Sequence, residues 1–133
     1  MAQTVFTSLD EVRAGVGRRL GVSDWLEITQ DDLDRFAAST GDTGHDYLAL
    51  ALTNLFLPQI VEVRGVSLGV NYGTGAVRFT APLRAGSRVR GSAELVACDE
   101  VAGGAQTTIR ITIEVDGGDE PACVVESLSR WLA

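Results

Sequence analysis

Apolar residues at Leu9, Val12, Val16 and Leu20 recur at helical spacing, which predicts an amphipathic helix over Ser8–Arg19. Trp25 to Ile28 reads as a short strand. Thr29, with Asp32 three positions on, has a capping-box pattern that opens a second helix with an apolar face of Leu33, Phe36 and Ala37. Thr40-Gly41-Asp42 ends it. Thr43 can cap a third helix, with Asp46 at its N3 position. That helix runs from about His45 to Leu57 and is apolar nearly all round, from Tyr47, Leu48 and Leu50 to Leu55, Phe56 and Leu57. A helix apolar on every face is a buried one. Pro58 distorts or ends it.

From Glu62 onward the pattern changes to strands. They are expected over about Gly65–Asn71, Ala76–Thr80, Ser87–Glu100, Ala105–Val115 and Ala122–Leu132. Thr74-Gly75, Gly103-Gly104 and Gly117-Gly118 read as hairpin or turn signals. Thr107, Ile109, Ile111, Ile113 and Val115 alternate with Thr108, Arg110, Thr112 and Glu114, the period-two pattern of a strand with one wet face. Helices followed by a run of strands predict an α+β chain. The 133 residues fit a single domain over 1–133. A chain of this length buries about two-thirds of its unfolded surface, so no covalent staple is required.

Composition narrows the partners. The net charge of −7 argues against nucleic acid, which needs clustered cations. All eleven basic residues are arginine, and six of them are spread along the predicted strands. Cys98 and Cys123 lie in separate strand-like runs and read as free thiols. No Cys/His cluster has metal-ligand spacing, so no metal is expected. No cofactor is implied. Met1 to Leu20 carries Asp10, Glu11 and several arginines with no apolar core, unlike a signal peptide. The apolar run Tyr47–Ile60 is interrupted by Thr53, Asn54, Pro58 and Gln59 and falls short of the roughly 20 residues of a membrane span. A soluble, cytoplasmic protein with no membrane partner is expected.

Several segments together resemble one family. Ser23-Asp24-Trp25, Ile28-Thr29-Gln30 and Phe36-Ala37-x-x-Thr40-Gly41-Asp42 stand upstream. Val70-Asn71-Tyr72-Gly73, Arg78-Phe79, Ala81-Pro82, Gly86-Ser87-Arg88 and Pro121-Ala122-Cys123-Val124-x-Glu126-Ser127 stand downstream. Together they resemble the MaoC-like hydratases, small hotdog-fold proteins that add water to acyl thioesters or remove it. The resemblance covers most of the chain and implies the hotdog fold, an antiparallel sheet around a buried central helix. It also implies a homodimer, since the family's sheets usually pair edge to edge.

The departure lies at the family's catalytic motif, of the form G-D-x-x-x-I-H. In the family its Asp and His activate a water between them, and a backbone N–H at the start of the central helix polarises the thioester carbonyl. Here the place reads Gly41-Asp42-Thr43-Gly44-His45-Asp46. His45 is either the motif histidine after a contracted spacing, or part of the His-Gly pair that precedes the family's central helix. The second placement is favoured, because His45-Asp46-Tyr47-Leu48 runs into the apolar helix without a gap. A segment of about twenty residues that would have held the catalytic histidine is then missing. Its loss should widen the pocket.

Each candidate has a plain structural reading beside the functional one. Asp42 is a catalytic acid or base, or a turn residue. His45 is its partner, or a first-turn residue facing solvent. Asp46 is a substrate-binding residue at the helix N-terminus, or an aspartate favoured by the helix dipole. Tyr47, Asn54 and Gln59 line a cavity, or bond within the fold or across a dimer interface. Asn71 and Tyr72 contact substrate, or Asn71 anchors a turn. Arg78 reads as one half of a structural ion pair.

Three functions fit. One is an enzyme with a widened pocket for an apolar small molecule, a polyketide-type or other bulky acyl substrate, acting by cyclisation or isomerisation. The second is a hydratase or dehydratase of enoyl thioesters that uses Asp42 and His45. The third is a non-catalytic binding or partner subunit.

Overall fold

The computed structural model describes residues 3–133. Strand β1 (Thr4–Phe6) leads into α1 (Leu9–Ala14), where the Ser8 side chain accepts the Glu11 N–H. The first helix is shorter than its apolar spacing suggests. Gly15 closes it, Val16 is left exposed, and Leu20 instead enters the core from a strand, β2 (Arg19–Val22). A helical period of one or two turns cannot tell these cases apart. After β3 (Leu26–Glu27), α2 (Gln30–Thr40) begins with both bonds of the expected capping box, between Thr29 and Asp32. It ends at Gly41, whose left-handed φ of 75° suits glycine.

The central helix is two segments, α3 (Asp46–Ala51) and α4 (Thr53–Ile60), joined at Leu52. Pro58 lies inside α4 and does not end it. Its missing N–H leaves the Asn54 carbonyl without its usual helical partner. The helix is also less buried than its composition predicts. Ala49, Phe56 and Ile60 are fully buried, whereas Tyr47 and Leu55 are 61% and 49% exposed. Only one side of it meets the sheet.

A short β4 (Val61–Val63) pairs in parallel with β1. The remaining strands are β5 (Leu68–Phe79), β6 (Arg88–Val101), β7 (Gly104–Val115) and β8 (Cys123–Leu132). The main sheet has the order β2-β6-β7-β8-β5, antiparallel throughout, with β3 also on β6. Thr74-Gly75, read above as a turn, instead lies within β5. The strand continues through register shifts at Asn71/Gly73 and Thr74/Val77. A bulge and a turn draw on the same glycine-rich sequences. The predicted alternation of β7 is present, with Thr107, Ile109, Ile111 and Ile113 all buried.

The inner face of the sheet receives the central helix at Gly91. A Cβ built there would lie 2.9 Å from the Phe56 Cβ and 3.2 Å from its ring. Ser23 fixes the same point from the edge: its Oγ accepts the Gly91 N–H at 2.9 Å, and its own N–H donates to the Gly91 carbonyl at 2.8 Å. Both cysteines are free. Burial raises both thiols, that of Cys123 to about 11. No helix of the described residues is long and apolar enough to cross a membrane.

Gly91→Ala should destabilise the chain by about 1–3 kcal/mol, through overpacking against Phe56. Gly73→Ala, where an added Cβ meets nothing within 4 Å, should stay within about 0.5 kcal/mol of wild type. Urea midpoints of the two variants measure the difference. Equal midpoints would remove the close approach from the account of the fold.

Candidate functional site

The sequence candidates Asp42 and His45 fall in the turn between α2 and α3, and Asp46 and Tyr47 are the first residues of α3. The Thr40 hydroxyl bonds to the Phe36 carbonyl at 2.6 Å and accepts the Asp42 N–H at 3.2 Å. This folds the chain back so that Asp42 Oδ2 accepts the Tyr47 N–H at 2.9 Å. Asp42 therefore supplies the side-chain cap expected from Thr43. A carboxylate in that place satisfies an orphan amide and meets the positive end of the helix dipole.

His45 is the formal N-cap residue and makes no side-chain cap bond. It is the one non-glycine residue at positive φ among the described residues, at 63°. Histidine is among the residues that tolerate this region, which lets the chain reverse immediately before α3. Its Nδ1 is buried without a hydrogen-bond partner. Asp42 and His45 thus share a turn, but no hydrogen bond joins them. Asp46 is exposed, and its charge reaches across to Cys123, where it adds to the effect of burial on that thiol. The Tyr47 ring meets Phe79 edge-on, with centroids 5.8 Å apart and planes at 76°. This holds the start of α3 against the end of β5.

Asn71 and Tyr72 lie toward the other end of β5. Asn71 lies eight positions before Phe79, roughly 25 Å of extended strand. The structure does not bring them to Asp42 and His45 within one chain. Tyr72 sits in a bulge, with the Arg130 guanidinium 3.7 Å above its ring. Asn71 lines a cleft. Arg78, read as an ion-pair residue, is exposed and in none of the ion pairs of the described residues. Gln59 does bond within the fold, accepting the Asp24 N–H at 3.0 Å, while Asn54 is exposed.

That cleft, of about 490 Å³, separates the second half of the central helix from β5 and β8. Its polar groups include Asn54, Asn71, Thr74 and Ser127, and its apolar wall includes Leu57 and Trp131. No ionisable side chain lines it. The sequence reading did not single out Thr74, Ser127, Ser129 or Trp131. The signal was the alternation Val125, Ser127, Ser129, Trp131 on one face of β8, which marks an inner face with hydroxyls on it. A second groove, of about 480 Å³, runs on the opposite flank of the helix, between Leu48, Leu52 and Leu55 and the α2 residue Phe36. Among the described residues, no group of three or more His, Cys, Asp or Glu side chains could hold a metal ion.

Relatives and solved structures are similar over nearly the whole chain. It is 37% identical to the 3-hydroxyacyl-thioester dehydratase Z of Mycobacterium tuberculosis, over 96% of this chain and 98% of that one. This alignment spans 148 positions against 133 residues here, so at least 15 of them have no residue in this chain. The fold matches a MaoC-like dehydratase from Rhodospirillum rubrum with a TM-score of 0.65 and 15% identity, over 88% and 92% of the two chains. It matches the R-hydratase of Pseudomonas aeruginosa with a TM-score of 0.62 and 18% identity, over 88% and 81%. No family model matches the chain.

If Asp42 is a cap, Asp42→Ala should lower stability by about 0.5–2 kcal/mol, and Asp42→Asn, which keeps an accepting oxygen, should retain most of it. Thermal or urea unfolding of both variants tests this. Equal stability of wild type and Asp42→Ala would deny the cap.

Proposed function

This chain belongs to the MaoC-like hydratase/dehydratase family and has its hotdog fold, and on that premise we propose that it is an enzyme with a remodelled pocket. Its substrate is a polyketide-type or other bulky acyl small molecule, and its reaction a cyclisation or isomerisation in place of hydration. One observation carries this reading: the sheet-side cleft holds no ionisable side chain, while the Asp42 carboxylate caps α3 instead of facing a partner. At least 15 positions of the dehydratase alignment have no residue here, as a shortened chain requires.

Such a site works by orientation. Leu57, Val125 and Trp131 exclude water from an apolar substrate. Asn54 on the helix wall and Asn71 and Ser127 on the sheet wall line the same cleft, and their N–H and O–H groups can donate to a carbonyl oxygen as it gains charge. Holding two reacting parts of one molecule in contact contributes to the rate without a charged base.

A second reading keeps the hydratase chemistry, with Asp42 and His45 as a contracted pair. It is favoured by 37% identity to a dehydratase across 98% of that protein's length. A homodimer suits both readings. β5 is an exposed edge strand on which Leu68, Val70, Tyr72 and Phe79 are exposed. A second copy pairing along β5 would satisfy its free backbone groups and cover these side chains.

The folded protein is expected to show no turnover of crotonyl or longer enoyl thioesters above background, and to gain thermal stability on binding bulkier acyl thioesters. A hydratase rate that falls by about 10²–10⁴ in both Asp42→Ala and His45→Ala would instead establish the second reading. Light scattering should give a dimer, and Val70→Lys with Tyr72→Lys should give a monomer. A monomeric wild type would refute the β5 interface.

A further inference from the structure

The groove on the α2 flank of the central helix belongs to neither reading above. We infer that it is a separate binding site for an uncharged, largely apolar small molecule. Leu48, Leu52 and Leu55 form one stripe along α3–α4, since residues four and three apart share a helix face. Leu55, at the end of this stripe, is half exposed, an unfavourable place for so large an apolar side chain. Phe36 and Ser39 of α2 form the opposite wall, and Leu26 and Ile28 form the floor. The groove is therefore concave on three sides. At about 480 Å³ it has the size of a small-molecule site and nearly the volume of the sheet-side cleft.

The electrostatics select the ligand. Two charged residues, Asp32 and Arg35, stand on the α2 wall. Both are already engaged. Asp32 accepts the Thr29 N–H at 3.0 Å in the capping box, and Arg35 pairs with Asp31 at 2.9 Å. A charged ligand would have to compete with these local partners and leave water for a leucine-lined wall. An uncharged ring system or branched chain needs no such exchange. The Ser39 hydroxyl, on an exposed position at the far end of α2, offers one hydrogen bond to a ligand carbonyl or hydroxyl. The site does not depend on which reaction the sheet-side cleft performs, or on whether it performs one.

The probe is N-phenyl-1-naphthylamine, an uncharged fluorophore, titrated into the full chain. Fluorescence should rise on saturable binding, and the methyl resonances of Leu48, Leu52 and Leu55 should shift. Leu55→Arg should weaken binding by about tenfold or more. Ser39→Trp, at an exposed position where a fold defect is not expected, should do the same by filling the groove. Asn71→Trp, in the sheet-side cleft, should leave affinity unchanged. Weakening by Asn71→Trp alone would place the probe in the other cleft and overturn the inference. Absence of saturable binding, with the leucine methyls unmoved, would overturn it as well. Either result leaves the thioester assay, and the reading it tests, untouched.

Discussion

The contact between Phe56 and Gly91 sets the spacing on which the rest of the molecule depends. Because β6 has no side chain at this point, the helix backbone can approach the sheet closely, and the Phe56 Cβ takes up the space. Ser23 holds the β6 backbone from its other side through two hydrogen bonds. With the helix seated there, Ala49 and Ile60 are buried near its two ends, and Ile111, Ile113 and Val125 close the core around it. The helix then presents its remaining faces to open space on either flank, which creates both clefts.

This seating also explains a helix that is apolar all round yet half wet. Burial follows from what covers a face, and a one-layer sheet covers only one side of a cylinder. On the sheet-side flank the helix and β8 diverge enough to leave a cavity lined by amides and hydroxyls. On the other flank α2 stands away from the leucine stripe, with its own caps satisfied by Thr29 and Gly41 and no need to lean on the central helix.

Asp42 illustrates how local geometry redirects a residue. In a longer loop a carboxylate can reach across to an imidazole. Here only three residues separate Asp42 from Asp46, the first residue of α3. The nearest unsatisfied donor is then a backbone amide of that helix, and the carboxylate bonds to it. His45 takes the left-handed conformation that such a short reversal requires. The family's fold is kept, and the Asp42 carboxylate serves the chain's own scaffold by capping α3.

Much of this was legible in the chain. The Thr29/Asp32 capping box, the approximate places of β6, β7 and β8, the period-two face of β7 and the apolar central helix are all local patterns, and local patterns survive into the structure because backbone hydrogen bonding and side-chain alternation act over a few residues. The family likeness rested on similarly local motifs. What the sequence could not determine was relational. Leu20 entered a strand instead of a helix because its neighbours Arg19, Gly21 and Val22 pair with β6. Thr74-Gly75 became a bulge because β8 continued alongside. Asn71 and Tyr72 were separated from Asp42 and His45 by the length of β5, a distance set only when the helix docked along the strand. Spacing along a chain constrains which groups can meet within a turn or two; across the sheet, packing of whole elements decides it.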